Sequence, residues 1–218
     1  MTERTFTPAL GRLSLPKLYD AVIALTRERL WRSMTAMHAA PTPNAVIIDV
    51  GCGTGSLALL LHRIEPTARV IGVDPDPKML TTARQKSTAA GTDQVEWHTG
   101  MGNALTDIIA PQTADIIVSS LVFHQCPVPM KRAILISMLE TLRPGGKLVI
   151  ADFGLQRTRL MRLAFRIVQL ADGKEDTQFN ADGALPDLMT DVGFHQVQEP
   201  DTIPTINGSI SIYTARRP

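Results

Sequence analysis

The sequence has few cysteines, almost no net charge and no long apolar run, and each shortage excludes something. Its 218 residues include two cysteines, Cys52 and Cys126, too few for a disulfide framework or a four-cysteine zinc site. His38, His62, His98 and His195 show no spacing that would assemble a metal site, so no metal is expected. Lysine plus arginine number 22 against 21 acids, a net charge of +1. This lacks the basic excess of a general nucleic-acid binder, and no nucleic-acid partner is expected. No apolar run approaches the roughly 18 residues needed to span a bilayer. The opening MTERTFTPALGRL lacks the apolar centre of a signal peptide. These absences predict a soluble, cytoplasmic chain. Apolar residues at 44% are enough for a substantial core. At about 150 residues per domain, the length suggests one domain with added elements.

Residues 1–16 show no sustained periodicity and read as a loose arm. Apolar residues from Leu18 to about Ala40 recur at helical spacing (Leu18, Val22, Leu25, Leu30, Met34, Met37, with the Arg29 stem inward), and Pro41 and Pro43 stop that helix. Residues 1–43 are therefore expected to form an arm and helical cap, and 44–218 the main domain. Strand and helix signals then alternate. Strands are predicted at 45–50, 69–74, 94–99, 115–119 and 147–151, with helices at about 56–64, 77–90 and 130–142. This alternation implies a parallel sheet covered on both faces. The tail reads as helices at 157–170 and 183–192, then strands at 194–199 and 209–215, an antiparallel addition at the sheet edge.

The segment VIIDVGCGTGSLALLL (46–61) sets Gly51, Gly53 and Gly55 between a strand and a helix. Glycines there permit a tight turn and a close ligand approach, while the helix start offers free N–H groups. A dinucleotide loop reads G-x-G-x-x-G/A; here the third glycine comes one position early. Asp49, two residues before the first glycine, suits a ligand bearing an ammonium group better than a pyrophosphate. Asp74, nineteen positions beyond Gly55, closes the second strand, where an acid accepts ribose hydroxyls. An adenosine ligand with an ammonium group and no phosphate is S-adenosylmethionine.

VIIDVGCGTG, VIGVDPDPKML and LRPGGKLVIADF together resemble the class I S-adenosylmethionine-dependent methyltransferases, and the helical stretch from Leu18-Tyr19-Asp20 resembles their quinone-biosynthesis branch. The resemblance implies an α/β, doubly wound, Rossmann-like sheet of seven strands, the last antiparallel. It implies methyl transfer from S-adenosylmethionine to a small-molecule acceptor by in-line displacement, leaving S-adenosylhomocysteine. By the same resemblance Asp49 holds the loop and the cofactor's amino group. Gly51, Cys52 and Gly53 pass beside the methionine portion, and Gly55 starts the helix. Asp74 takes the ribose, and Pro75 and Met79 pack against adenine. Gly100-Met101 stands where the family often has Gly-Asp. Ser119 and Ser120 line the cofactor and the substrate entrance.

Outside these motifs, His124 follows the fourth strand at the mouth where an acceptor would meet the methyl group. It reads either as a base or acceptor-orienting group, or as a loop histidine bonded to backbone. Tyr19 is a candidate acceptor contact from the cap, and Cys126 a candidate pocket residue. Cys52 reads as a packed thiol rather than a nucleophile. Residues 156–170 carry four arginines and no acid, followed by six acids against Lys174 over 172–191. That helix either packs on the sheet with a solvated arginine face, the commoner pattern, or makes a peripheral membrane contact. A quinone or lipid acceptor at a membrane surface and a non-catalytic cofactor-binding partner protein remain alternatives, as do monomer and homodimer.

Overall fold

The computed structural model describes residues 27–218. In chain order its elements are α1 (Glu28–Ala39), β1 (Val46–Val50), α2 (Ser56–Ile64), β2 (Arg69–Asp74), α3 (Pro77–Ala89), β3 (Glu96–Thr99), β4 (Ala114–Ser120), α4 (Val128–Thr141), β5 (Leu142–Phe153), α5 (Arg159–Asp172), α6 (Lys174–Ala181), α7 (Leu185–Val192), β6 (His195–Thr205) and β7 (Gly208–Arg216). Two 3-10 turns, Gly102–Asp107 and Phe123–Gln125, follow β3 and β4.

The strands form one sheet in the order β3-β2-β1-β4-β5-β7-β6. Pairings from β3 through β5 are parallel. β7 runs antiparallel to both of its neighbours. The expected seven strands and antiparallel last strand are present, with one refinement: β7 lies inside the sheet and β6 forms the edge. Pro200 and Pro204 explain this, because proline cannot donate a ladder hydrogen bond and is tolerated on edge strands.

Side chains alternate across each strand, so β1 sends Ile47 to one face and Ile48 to the other. Trp31, Leu57 and Leu61, from α1 and α2, cover the Ile47 face. Leu135 and Met138 of α4 and Leu188 of α7 cover the Ile48 face. In α1 the buried side differs from the expected one. Trp31, Thr35, Ala36 and Ala39 point inward, while Arg29, Leu30 and Met37 are exposed. Burying the indole removes more apolar surface than burying Leu30, and Thr35 reaches the Trp31 carbonyl at 2.7 Å, satisfying its hydroxyl inside. Residues of the predicted first helix before position 27 lie outside the described residues. α6 was not foreseen; its sequence, KEDTQFNA, has no apolar period.

Strand order reverses at β1, whose neighbours are β2 and β4. Ligands of doubly wound sheets bind beyond the carboxyl ends of strands at such a point.

Candidate cofactor and acceptor cleft

The loop leaving β1 folds back because its glycines adopt left-handed φ, +70° at Gly51 and +77° at Gly55. The Gly51 and Cys52 amides donate to the Val73 carbonyl at 2.8 and 3.1 Å, binding the loop to the end of β2. A β-carbon at Gly51 would lie 2.2 Å from Val122 Cγ2, and one at Gly55 would lie 2.4 Å from the Trp97 ring. At the end of β2, Asp74 Oδ2 accepts the Gly53 amide at 2.8 Å and Oδ1 accepts the Asp76 amide at 2.9 Å. Asp76 in turn caps α3 by accepting from the Lys78 amide, with Pro77 in the first turn.

These pieces wall one end of a cleft of about 320 Å³, lined there by Gly51, Gly53, Asp74, Pro75, Met79 and Met101. Ser120 and Leu121 lead to the other end, bounded by Cys126, Pro127, Met130 and the start of α6. Every ionisable side chain of the lining with a formal charge at neutral pH is acidic: Asp74, Asp76, Glu175 and Asp176. Burial raises the Asp74 pKa to about 6 against the opposing pull of its two amide donors. Burial likewise raises the Cys126 thiol to about 11, leaving it a neutral, weakly polar wall.

Several sequence candidates sit behind the lining. Asp49 is fully buried within β1, and neither carboxylate oxygen has a hydrogen-bond partner among the described residues. Burial raises its pKa to about 7, opposed by the Arg32 charge and by the nearby Ala58 amide at the start of α2. Cys52 is buried, its sulfur packed toward Gly72, and burial holds its thiol well above the usual range. Gly55 gives its space to Trp97, and Gly100 gives its space to Ile108. Ser119 donates to the Val50 carbonyl at 2.8 Å, so this hydroxyl ties β4 to β1 instead of facing the cleft. Cys52, Gly55, Gly100 and Ser119 are not among the residues lining the cleft, and their packing shapes its walls. Tyr19 lies outside the described residues.

His124 is also withdrawn from the lining. Its ring is buried, with Nδ1 2.7 Å from Asp152 Oδ1 and Nε2 3.5 Å from Asp172 Oδ2. Burial lowers its pKa, but the two carboxylates outweigh that and carry it to about 9. With both nitrogens occupied and a proton held through neutral pH, the imidazole has no free lone pair for a proton on an acceptor. Asp152 Oδ2 also accepts the Phe123 amide at 2.7 Å. Lys131, buried in α4, donates to the Phe123 carbonyl and, at 2.9 Å, to the Asp176 carbonyl. Burial lowers its pKa while Asp152 opposes. Asp152 and Lys131 thus position the far wall of the cleft. A sequence signal for Asp152 existed: it is the lone carboxylate at the end of the apolar run Leu148–Ala151, beside the strand that delivers His124.

The site fits a cationic nucleoside. A buried carboxylate whose oxygens accept no hydrogen bond of standard geometry among the described residues, Asp49, stands behind the loop, and an acid at the end of β2 faces the cavity. A carboxylate offers about four acceptor sites, and Asp74 uses two for its own backbone. Among the described residues no group of three metal-ligating side chains occurs.

Residues 47–146 match the family described as a methyltransferase domain. The chain is 36% identical over 152 residues to malonyl-acyl-carrier-protein O-methyltransferase of Methylococcus capsulatus, covering 69% of this chain and 52% of that protein. It is 30% identical over 150 residues to demethylmenaquinone methyltransferase of Deinococcus radiodurans, covering 69% and 60% respectively. The chain therefore spans between half and two thirds of these relatives' lengths. Magnesium protoporphyrin IX methyltransferase of Synechocystis, solved with its bound cofactor product, superposes with a TM-score of 0.69 at 20% identity, covering 96% of this chain and 91% of that one. That likeness is one of fold. The glycine loop, the sheet order and the matched domain agree: residues 47–146 form a methyltransferase domain, and the chain is similar to the class I S-adenosylmethionine-dependent methyltransferases, with relatives in their quinone-biosynthesis branch.

Proposed function

We propose that this chain binds S-adenosylmethionine at the Gly51–Asp74 end of the cleft and methylates a small organic acceptor at the Cys126–Met130 end. The observation that carries this reading is Asp74 lining the cavity while bonded to the glycine loop. When bound, S-adenosylmethionine supplies a methyl group on a positively charged sulfur. Asp74 holds the ribose hydroxyls, Asp49 stabilises the ammonium group from behind the loop, and Met79 and Pro75 pack on the base. The chain's remaining work is to align two partners and keep water out. His124 is a positioning residue in this scheme, fixing the segment after β4.

The acceptor end combines Leu121, Val122, Pro127, Met130 and Ile134 with the acids of α6 and presents no cation. A buried carboxylate without a counter-charge is costly, so an uncharged or cationic acceptor fits better than an anionic one. A lipophilic ring of the kind named by the demethylmenaquinone relative suits this lining. The test is label transfer from methyl-labelled S-adenosylmethionine to a panel of quinols, phenols, amines and carboxylates. Turnover of uncharged or cationic members and none of the carboxylates is expected. Selective turnover of carboxylates would overturn the acceptor class. Calorimetric binding of S-adenosylhomocysteine without turnover of any acceptor would favour a non-catalytic partner.

A further inference from the structure

Helix α5 buries one apolar side and displays another. Phe165 and Val168 face the core, the Phe165 ring lying 5.1 Å from that of Phe153. Leu160, Leu163, Ile167 and Leu170 are 75%, 58%, 60% and 87% exposed. Steps of three, four and three residues stack these four into one stripe along the helix. At about 100° per residue, Arg159, Arg162 and Arg166 all fall along the same border of that stripe. Neither Arg159 nor Arg166 forms an ion pair with a described residue, and Arg162 donates to the Gln156 carbonyl at 3.0 Å. No acid occurs over 156–171.

The stripe adjoins the acceptor end of the cleft. Asp172, the last residue of α5, reaches His124, and α6 immediately after it brings Glu175 and Asp176 to the lining. No helix among the described residues is long and apolar enough to cross a membrane.

We propose that α5 docks the protein on an anionic lipid surface. Leu160, Leu163, Ile167 and Leu170 enter the boundary between headgroups and acyl chains, and Arg159, Arg162 and Arg166 pair with lipid phosphates. An apolar row bordered by arginines that form no ion pair among the described residues is the charge and shape pattern of a helix lying in that interface. The all-basic border works against pairing with a second copy of the same helix. Docking in this way sets the acceptor end of the cleft beside the bilayer. The inference goes beyond the proposed reaction and does not depend on which acceptor is methylated.

The test is flotation of the full chain with vesicles of phosphatidylcholine alone and of phosphatidylcholine mixed with phosphatidylglycerol. Binding to the mixed vesicles, weakened by salt, is expected. Leu163→Glu with Ile167→Glu lowers bound protein by about tenfold or more, with melting temperature and calorimetric binding of S-adenosylhomocysteine unchanged. Arg159→Gln with Arg166→Gln removes the preference for phosphatidylglycerol. Failure of the unmodified chain to float, or flotation indifferent to both double variants, overturns the proposal. So does conversion of a dimer to a monomer by the glutamate pair without loss of flotation, which would assign the stripe to self-association. Retained binding of S-adenosylhomocysteine separates any such failure from failure of the cofactor assignment.

Discussion

Asp74 Oδ2 and the Gly53 amide, 21 residues apart in the chain, are hydrogen-bonded at 2.8 Å, so the acid at the end of β2 and the glycine loop are tied together. A ligand meeting Asp74 therefore meets a carboxylate already aimed by the backbone. Preorganisation of this kind lowers the ordering cost of binding.

Replacing Asp74 separates these two roles. Asp74→Ala removes acceptors for the ribose and leaves the Gly53 and Asp76 amides without partners. Charge-assisted hydrogen bonds contribute about 1.5–3 kcal/mol each, so binding of S-adenosylhomocysteine should weaken by at least about tenfold. Asp74→Asn keeps one acceptor oxygen and should fall between. Calorimetry that finds Asp74→Ala binding as well as the unmodified chain would remove the acid from the cofactor site.

Asp49, if it faces the cofactor's ammonium group as proposed, makes binding proton-linked. Burial holds its pKa at about 7, so near pH 6.5 much of it is protonated in the free protein. An arriving ammonium group favours the ionised form and expels that proton. Calorimetry of S-adenosylhomocysteine binding in two buffers of different ionisation heat should show proton release at pH 6.5 that shrinks as pH rises to about 7.5, and Asp49→Asn should reduce the release. Proton uptake at pH 6.5 would contradict the assignment.

Gly51 gives a steric prediction. Gly51→Ala sets a methyl group against Val122 Cγ2 at a φ of +70°. Overpacking and left-handed strain each cost roughly 1–3 kcal/mol, so the melting temperature should drop by several degrees. Val122→Ala in the same chain opens the space and should restore part of the loss, leaving the φ strain. No recovery would show that crowding by Val122 is not the cause.

His124 predicts a pH window. Its folded pKa of about 9 lies above the ordinary 6.5, so the clamp's contribution is complete below about 6.5 and fades as pH rises through about 9. For a fully buried ring that difference amounts to about 3 kcal/mol. Urea unfolding of the unmodified chain and His124→Gln should therefore differ most near pH 6 and converge above pH 9. A gap that widens with pH would contradict the charged pairing.

Local chemistry made much of this legible in the sequence. β-branched runs closed by glycines and an acid marked β1 and β2, and Asp76-Pro77 marked the start of α3. The same signals located Gly51, Gly53, Asp74, Pro75, Met79, Met101 and Ser120, all of which line the cleft. What could not be read depends on partners far away in the chain. Nothing near Lys131 says that its ammonium ends on the carbonyls of residues 123 and 176. The sequence places His124 at the mouth of the site but does not show its burial, because its partners, Asp152 and Asp172, arrive 28 and 48 residues later. In α1, Trp31 and Leu30 are neighbours, and which one is buried depends on packing against a sheet built from residues far along the chain.

The position of β7 has a consequence for the order of assembly. β5 carries Asp152, yet its outer edge is completed by β7, which is made after α5, α6, α7 and β6. Until β7 is synthesised, an apolar strand with unpaired amides stays open to other chains, and Asp152, the partner of His124, sits on the edge strand of a five-stranded sheet. The contact between β5 and β7 spans about sixty residues of sequence, the kind of distant pairing that slows folding. β5, which carries Asp152 and through it holds His124, thus stays an open edge for longer than β1, which leads into the glycine loop and is flanked on both sides once β4 is made.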